Sequence, residues 1–385
     1  MARHIAANAL TLLIVAAFLL GGLILWGQNE YTAEGPSDTA ICLQVKRGSN
    51  MKIVSQDLEN KQAISNGLIF RVGVDYADKA DKLKAGSFLV PAHASMEEIA
   101  DIVTRGGAST CGTEIVYRIG VTRQSVQVRE LDPQTGRFVE IAAFNPAVDE
   151  APEAFTEKRG EADTRYRISV AEGVTSWQVV DALRKIDLLD GEVDVPEEGS
   201  LAPDSYEVVS GDTRQSVIDR MSEAQEILVA AAWEGRSEDT PLKSPEEMVI
   251  LASIIEKETG VPEERRQVAS VFTNRLERGM RLQTDPTVIY GITRGEGVLG
   301  RGLRQSELRR ETPWNTYVIP GLPPTPIANP GRASLEAAVN PDTTDYIFFV
   351  ADGTGGHAFA ETLAEHNSNV AKWREIERQL REQNQ

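Results

Sequence analysis

Residues 249–260 read Val249-Ile-Leu-Ala-Ser-Ile-Ile-Glu-Lys-Glu-Thr-Gly260, an apolar run that ends in three consecutive charged residues. The preceding Ser244-Pro-Glu-Glu247 has the pattern of a capping box, with Ser at the N-cap and Pro at the first helical position. Gly260 and Pro262 are typical of the place where a helix stops. This stretch therefore predicts a helix that begins just after Ser244 and carries two glutamates in its last turn.

The helical repeat distinguishes these two glutamates. Glu258 follows Ile254 and Ile255 by four and three residues, so it projects from the same apolar face. Glu256 points well off that face. Because burial raises the pKa of a carboxyl group, Glu258 is the better candidate for a proton donor at neutral pH. The alternative is that both glutamates are solvated near a helix end.

Several longer motifs accompany this helix in a fixed order. They are Leu251-Ala-Ser-Ile-Ile-Glu-Lys-Glu-Thr-Gly260, Asn274-Arg-Leu-Glu-Arg-Gly-Met-Arg-Leu-Gln-Thr-Asp-Pro-Thr-Val-Ile-Tyr-Gly291, Asn315-Thr-Tyr317, Gly321-Leu-Pro-Pro324, Pro326-Ile-Ala-Asn-Pro-Gly331, Tyr346-Ile-Phe-Phe-Val-Ala-Asp-Gly353 and Gly356-His-Ala-Phe359. Together they make the chain similar to the YceG-like (MltG) endolytic murein transglycosylases. The resemblance is dense over residues 243–375 and looser over 40–107 and 166–230.

The resemblance implies a membrane-anchored bacterial enzyme of α+β fold. It would cleave the MurNAc-GlcNAc β-1,4 bond inside peptidoglycan strands, leave 1,6-anhydro-MurNAc ends and terminate the elongation of nascent strands. The family's catalytic acid is the second Glu of the E-K-E-T string, which is Glu258 in this sequence. A lytic transglycosylase needs no cofactor and no second carboxylate. Its expected partners are glycan strands and peptidoglycan synthases.

Polar side chains after the Glu258 helix suit the recognition of sugar hydroxyl and acetamido groups. The candidate substrate-binding residues are Gln283, Thr287, Tyr290, Asn315, Tyr317 and Arg275, with Arg281 as an alternative cation for a lactyl or stem-peptide carboxylate. Any one of them could instead be structural.

Asp285 is the candidate second carboxylate in this segment, and Glu256 is a secondary candidate for the acid. The place of Asp285 between Thr284 and Pro286 favours a turn-capping role. Two other functions stay open. A hydrolytic muramidase would need two carboxylates, whereas a non-catalytic glycan-binding scaffold for cell-wall synthases would tolerate the loss of Glu258.

The N-terminus carries a long apolar segment. Residues 6–27 contain no Asp, Glu, Lys or Arg and are about long enough to cross a bilayer as a helix. Arg3 precedes this segment and Glu30 and Glu34 follow it, so the positive-inside rule places residues 1–5 in the cytoplasm. For the implied bacterial enzyme, this predicts a single-pass inner-membrane protein with its bulk in the periplasm. A cleaved signal peptide is the competing interpretation.

The rest of the chain changes pattern several times. The predicted segments are a polar linker at 28–39, a LysM-like module at 40–112, an inserted β-rich and loop segment at 113–165, an α+β subdomain at 166–243 and a catalytic domain at 244–385. In the module, the pattern reads strand, helix, helix, strand, helix, with a capping box at Ser95. Glycan binding by this module and a role as a spacer are both open. A C-terminal helix is predicted from His366, with Trp373 and Leu380 facing inward.

Composition excludes several classes of function. The net charge of −18 argues against a nucleic-acid-binding surface. The four histidines have no metal-ligand spacing, and the sequence has no Walker loop, dinucleotide fingerprint or Gly-x-Ser-x-Gly. No metal or cofactor is therefore expected.

The sequence has two cysteines, Cys42 and Cys111. Cys42 lies in the first predicted strand of the module, and Cys111 follows a predicted turn at Gly106-Gly107. Outside the cytoplasm they are candidates for a disulfide that joins the entrance of the module to its exit. The alternative is two unpaired small apolar side chains.

Overall fold

The computed structural model describes residues 2–46, 48–105, 110–161 and 164–383. The helices are α1 (Ala2–Thr32), α2 (Met51–Asn60), α3 (Gly67–Tyr76), α4 (Met96–Arg105), α5 (Glu153–Lys158), α6 (Ser176–Arg184), α7 (Arg214–Glu234), α8 (Pro245–Glu258), α9 (Arg265–Glu277), α10 (Asp285–Thr293), α11 (Gln305–Leu308), α12 (Arg332–Val339) and α13 (Leu363–Gln383). The strands are β1 (Ile41–Val45), β2 (Gly86–Val90), β3 (Thr113–Ile119), β4 (Gln124–Asp132), β5 (Arg137–Phe144), β6 (Arg165–Val170), β7 (Ser205–Val208), β8 (Phe348–Ala351) and β9 (His357–Ala360). The predicted α+β class is confirmed.

The strands of the described ranges form three sheets. β1 pairs with β2, the strands β5-β4-β3-β6-β7 form a five-stranded sheet in that order, and β8 pairs with β9. By compactness the chain divides into a first unit of Met1–Val116, Val126–Phe144 and Asp149–Tyr166, and a second unit of the remaining residues.

In the first unit, β1 and β2 pair antiparallel and three helices pack beside them. Ile41 pairs with Val90 and Val45 pairs with Gly86. The core between them includes Leu43, Leu58, Phe70, Ile99 and Val103. The predicted order strand, helix, helix, strand, helix is confirmed. The Ser95 capping box is also present, since Ser95 N–H donates to Glu98 at 2.9 Å and Glu98 N–H donates to the Ser95 hydroxyl at 3.2 Å.

The helix α1 is longer than the predicted membrane span. Leu10–Thr32 has the length and apolar composition of a membrane-spanning helix. The helix continues into the segment predicted as a linker, because residues near its end have partners in the first unit. The Ser65 hydroxyl donates to the Glu30 carboxylate. The Tyr31 ring lies so close to Gly73 of α3 that a Cβ at Gly73 would overlap it. The polar linker prediction is therefore corrected for its first residues.

The β-rich prediction for residues 113–165 holds for the strands but not for the loop after them. β4 and β5 form a hairpin in which Val126 pairs with Phe144. The charged segment after β5 belongs to the part predicted as loop, yet it contains α5. Phe155 of α5 is buried, and its ring lies 5.1 Å from that of Phe144. This contact and the Arg159 guanidinium, which lies 5.4 Å from the centre of the Phe155 ring, hold α5 in place.

The second unit has its core around α8, which packs against α7, α9, α10 and α12. Every residue from Met248 to Ile255 is buried, so α8 is apolar on all sides rather than on one face. Ser244 caps its N-terminus as predicted, accepting from Glu247 N–H at 3.4 Å. The Glu247 carboxylate accepts from Lys243 N–H at 2.7 Å, one residue before the position that a capping box would use.

The C-terminal hairpin of β8 and β9 packs beside α13. This helix begins at Leu363, before the predicted start at His366. Trp373 is half-buried, as its predicted inward orientation requires, but Leu380 is 44% exposed. The predicted inward orientation of Leu380 was wrong, because Leu380 and its neighbours in the last turns of α13 are exposed.

A disulfide joins Cys42 of β1 to Cys111 within the first unit. Cys111 is fully buried. The predicted turn at Gly106-Gly107 lies outside the described residues. The bridge ties the edge of the β1–β2 pair to the chain that leaves the module.

Removing this bridge should destabilise the first unit. The two cysteines are 69 residues apart, and a loop of that size gives about 4 kcal/mol of stabilisation in the chain-entropy model. We expect the double variant Cys42→Ser, Cys111→Ser to unfold at lower denaturant concentration than the wild type. Reductant should lower the wild-type midpoint and leave that of the variant unchanged. Equal midpoints for wild type and variant would contradict this expectation.

Candidate active site

The last turn of α8 carries three consecutive charged side chains, and each has its own partner. Glu256, only 6% exposed, lies 3.9 Å from Arg265 and accepts from Gly331 N–H at 3.0 Å. The Lys257 ammonium donates to the Gly173 carbonyl at 3.2 Å, and burial lowers the pKa of this lysine. Glu256 was expected to point away from the apolar face, and the structure buries it all the same. Burial alone therefore does not separate the two glutamates.

Glu258 is half-buried and has a neutral partner. The Thr284 hydroxyl donates to its carboxylate. Burial is the main cause that raises the pKa of Glu258, and the negative charge of Asp285 raises it further. The Thr284 hydrogen bond and the positive charges of His357 and Arg275 oppose these effects and are weaker in sum. Burial thus makes the Glu258 carboxyl group a weaker acid than an ordinary glutamate.

The loop that carries Thr284 is held in a constrained backbone conformation. Gln283 has φ of +50°, which is uncommon for a residue other than Gly, Asn or Asp. Its N–H donates to the Thr316 carbonyl at 3.2 Å, and Thr284 N–H donates to the Thr316 hydroxyl at 3.1 Å. These two bonds fix the backbone that directs the Thr284 side chain to Glu258. The Gln283 side chain is exposed and is not needed for this arrangement.

Asp285 begins α10 and contacts Tyr317. The Tyr317 hydroxyl donates to the Asp285 carboxylate at 2.7 Å. Burial and the Asp285 carboxylate both raise the pKa of Tyr317 well above its usual range. The N-cap of α10 is Thr284, whose side chain makes no cap hydrogen bond. The expected turn-capping role of Asp285 is thus replaced by a contact with an aromatic hydroxyl.

Arg275 lies near Glu258, but its hydrogen bonds go to the protein. It is 7% exposed, and its guanidinium donates to the Ile347 carbonyl at 2.7 Å and to the Leu282 carbonyl at 2.5 Å. Its charge also lies 5.7 Å from the centre of the Phe348 ring. Burial lowers its pKa. Arg275 therefore joins the β8 region to the loop before Thr284 and adds a positive charge behind the site.

Two other predicted substrate-binding residues have structural contacts. Thr287 and Asn315 are fully buried. The Thr287 hydroxyl donates to the Thr284 carbonyl at 2.8 Å. The Asn315 amide donates to the carbonyls of three residues, Glu307, Leu308 and Arg310. These side chains shape the site from behind, and their predicted direct contact with a glycan is not supported by their burial.

Tyr290 is half-buried and belongs to a second cluster. Its hydroxyl is hydrogen-bonded to Glu198, and burial raises the pKa of both groups. Ser176 N–H donates to the Glu198 carboxylate at 2.8 Å. The Tyr290 ring packs on Trp314, with ring centres 5.8 Å apart. Tyr290 and Tyr317 thus both carry hydroxyl groups bound to carboxylates.

Three of these residues had no role in the sequence interpretation. Thr284 and His357 lie inside the quoted motifs, but nothing in a motif identifies the carboxyl group that a neighbouring segment approaches. Glu198 lies in a Glu-Glu-Gly stretch with no distinguishing pattern. An apolar sequence around Glu198 could have indicated a buried carboxylate. The neighbouring residues of Glu198 are not apolar enough to give that signal.

The chain was compared with known proteins. The model of the YceG-like family matches residues 43–372. The endolytic murein transglycosylase of Bacillus subtilis (strain 168) is 28% identical over 356 residues, which cover 92% of this chain and 91% of that protein. The proteins of the same name from two Streptococcus pneumoniae strains, D39 and R6, are each 25% identical and cover 96% of this chain. This chain spans 65% of the length of each pneumococcal protein.

A crystal structure of a YceG-like protein from Listeria monocytogenes, at 2.6 Å, is 26% identical, with a TM-score of 0.46. The match covers 86% of this chain and 99% of the Listeria chain. The family model spans most of the chain, including α8 and the loop that carries Thr284. This protein therefore belongs to the YceG-like family.

Proposed function

We propose that this protein is an endolytic lytic transglycosylase of peptidoglycan. Its substrate is the glycan strand, and its reaction cleaves the MurNAc-GlcNAc β-1,4 bond to leave a 1,6-anhydro-MurNAc end. The observation that carries the proposal is Glu258, a carboxyl group with a raised pKa in a chain whose relatives are named endolytic murein transglycosylases. Termination of nascent strands is the proposed role in the cell.

In the first step, Glu258 acts as general acid. Its raised pKa lets it hold its proton to higher pH than an ordinary glutamate does, which suits a proton donor. Glu258 gives its proton to the glycosidic oxygen, and the bond from that oxygen to C1 of MurNAc breaks. The GlcNAc side leaves as an alcohol. Tyr317 is proposed to bind a sugar hydroxyl beside the reacting group, with Gln283 and Tyr290 at the edge of the site.

In the second step, the same carboxylate acts as base. Glu258 takes the proton from the C6 hydroxyl of MurNAc, and the C6 oxygen forms a new bond to C1. The acid is regenerated and water is not consumed. The Thr284 hydroxyl stabilises the carboxylate between the two steps, since a hydrogen bond to the charged form favours it.

A hydrolytic muramidase is the second candidate, because Asp285 supplies another carboxylate near Glu258. Two features favour the lytic reaction. The Asp285 carboxylate is bound to the Tyr317 hydroxyl, and the named relatives are transglycosylases. We propose that Asp285 raises the pKa of Glu258 and orients the Tyr317 hydroxyl.

We propose that α1 anchors the protein in the bacterial inner membrane, with the remainder in the periplasm. The disulfide of Cys42 and Cys111 is in keeping with an oxidising compartment. The small fold of β1, β2 and α2–α4 is proposed to be a LysM-like module, and peptidoglycan synthases are proposed partners.

Glutamine variants test the assignment of the acid. Glu258→Gln keeps the shape of the side chain but cannot exchange a proton, so we expect activity to fall at least about 100-fold. Glu256→Gln is the matched control two residues away. The amide oxygen of this variant can still accept from Gly331 N–H, but the ion pair with Arg265 is lost. The variant should therefore be less stable and keep most of its activity. The measurement is the release of glycan fragments from purified strands by the full-length protein in detergent.

Mass spectrometry of these fragments distinguishes the two reactions. The wild type should give anhydro-MurNAc ends, and Asp285→Asn should give the same ends at a reduced rate. Reducing ends from the wild type would favour the muramidase. A larger effect of Glu256→Gln than of Glu258→Gln would contradict the assignment of the acid.

The raised pKa of Glu258 also has a consequence for stability. The folded state holds the Glu258 proton more tightly than the unfolded state, where the pKa is about 4.5. The stabilisation is therefore complete below pH 4.5 and is lost as pH rises through the folded-state pKa. The Glu258→Gln variant does not lose stability in this way, because Gln does not titrate. We expect the unfolding free energy of the variant, relative to the wild type, to increase from pH 4 to pH 8 in denaturant titrations. A difference that does not change with pH would show that Glu258 has an ordinary pKa.

The anchor can be tested in intact cells and in fractions. We expect the full chain to stay with membranes after alkaline extraction, and the part after Thr32 to be digested by protease added to spheroplasts. The cytoplasmic N-terminus should be protected. Recovery of a soluble form that starts near residue 28 would support a cleaved signal peptide instead.

A further inference from the structure

A row of exposed apolar side chains runs along α3. Leu68, Val72 and Tyr76 are 61%, 60% and 87% exposed, and their spacing of four residues places them on one side of the helix. These three residues are called the apolar stripe below. Within Gly67–Tyr76 the charged residues are Arg71 and Asp75, one of each sign. A grouped apolar surface of this kind marks a contact with another molecule or with a membrane.

Two other sides of α3 have defined neighbours. Phe70 and Val74 are fully buried in the core of the small fold of β1, β2 and α2–α4. Each is two residues from Val72, so both point about 200° away from the apolar stripe. Gly73 is one residue from Val72, about 100° around the helix, and lies against the Tyr31 ring of α1. The core is therefore opposite the apolar stripe, and α1 lies to one side.

The helix α3 crosses the end of α1 instead of running alongside it. Two consecutive residues of α1 have contacts at opposite ends of α3. The Ser65 hydroxyl, just before α3, donates to Glu30, and Tyr31 lies against Gly73 in the last turn. These contacts are at least about 9 Å apart along α3, whereas consecutive residues of α1 differ in height by about 1.5 Å. In a bilayer that α1 spans, α3 is therefore closer to the plane of the membrane than to its normal.

The apolar part of α1 shows which side of α3 faces the bilayer. All large apolar side chains from Leu10 to Trp26 are exposed, so the small fold packs beyond this part of α1, at the end that carries Glu30 and Tyr31. The core of the small fold thus lies on the side of α3 that is away from the apolar part of α1. The apolar stripe is on the opposite side and faces back towards the bilayer.

The height of α3 along α1 matches the headgroup layer. Tyr31 is four residues after Gly27, where the uncharged segment of α1 ends, so it lies about 6 Å beyond that point. The headgroup regions add about 5–7 Å to each side of the hydrocarbon core. Side chains of α3 that point back along α1 therefore reach the boundary between headgroups and acyl chains.

We propose that the apolar stripe is a second membrane contact of this protein, in addition to the span of α1. The helix α3 lies in the headgroup layer of the same bilayer, with Leu68, Val72 and Tyr76 inserted at the acyl boundary, as in an interfacial helix. Tyrosine suits this depth, because its ring is apolar and its hydroxyl can stay in water. The charges of Arg71 and Asp75 balance, so the contact does not require anionic lipid. The inference rests on the proposed anchor and not on the proposed reaction.

A spin label at position 72 tests the depth of the apolar stripe. The full-length Val72→Cys protein is labelled with a nitroxide and reconstituted in phosphatidylcholine vesicles. Cys42 and Cys111 are joined in the disulfide and do not react with the label. Collisions of the label with oxygen, which concentrates in the lipid, are compared with collisions with a water-soluble nickel chelate. We expect the label to lie about 5–10 Å inside the headgroup boundary.

Ile53→Cys is the matched control for the label position. Ile53 is also an exposed apolar residue of the small fold, at 51%, but it belongs to α2. It is two residues from Ser55, whose hydroxyl accepts from Arg71 of α3 at 2.7 Å, so it points away from α3. A label at position 53 should be as accessible to the nickel chelate as a label in water.

Two double variants that carry the label at position 72 separate a contact made by the stripe from nearness imposed by α1. Leu68→Gln with Tyr76→Gln removes most of the apolar surface and should move the label out of the lipid. Val139→Gln with Ile141→Gln replaces two exposed apolar side chains of β5 and should leave the depth of the label unchanged. Melting curves from circular dichroism show whether each variant is folded.

The inference is overturned if the labels at positions 72 and 53 are equally accessible to the nickel chelate in protein that floats with the vesicles. The stripe would then be left to a protein partner. It is also overturned if the label keeps its depth in the folded variant with Leu68→Gln and Tyr76→Gln. Failure of the proposed anchor is seen separately, as protein that does not float with the vesicles. Failure of the proposed reaction is seen as glycan products without anhydro ends.

Discussion

Three consecutive charged side chains at the end of a buried helix are the constraint on which the second unit depends. Leaving a buried ion without its partner costs about 3–5 kcal/mol, so Glu256 and Lys257 must each be matched, and the Glu258 carboxyl group must find a hydrogen bond. Glu256 is matched by the nearby Arg265. The other partners come from segments far from α8 in sequence: the Gly331 N–H, the Gly173 carbonyl and the Thr284 hydroxyl. The end of α8 therefore determines where three loops converge.

The same requirement explains why one of the three side chains is suited to chemistry. Glu256 is matched by a guanidinium and a backbone N–H, and Lys257 by a carbonyl. Glu258 is matched by a neutral hydroxyl, with the negative charge of Asp285 nearby. Burial without a directly paired cation raises the pKa of a carboxyl group. The acid thus follows from which partner each residue receives rather than from burial as such.

Sequence reasoning reached the features that depend on local periodicity. The α8 helix, its Ser244 cap and the order of elements in the first unit follow from repeats and turn residues a few positions apart. It did not reach the contact of Thr284 with Glu258 or that of Tyr317 with Asp285, because these join residues more than twenty positions apart. It also missed α5, whose contacts include that of Phe155 with the distant Phe144. Pattern identifies an element, whereas contacts between distant segments decide what its side chains meet.

The direct continuation of α1 into the first unit has a mechanical consequence. Tyr31 and Glu30 are packed and hydrogen-bonded against the module, so no flexible tether separates the proposed bilayer anchor from the fold beside it. A helix rises 1.5 Å per residue, and its tilt follows the thickness of the bilayer. With α1 in a membrane, the small fold packed against its end would stay close to the lipid surface. A tilt of the helix would rotate this fold with it.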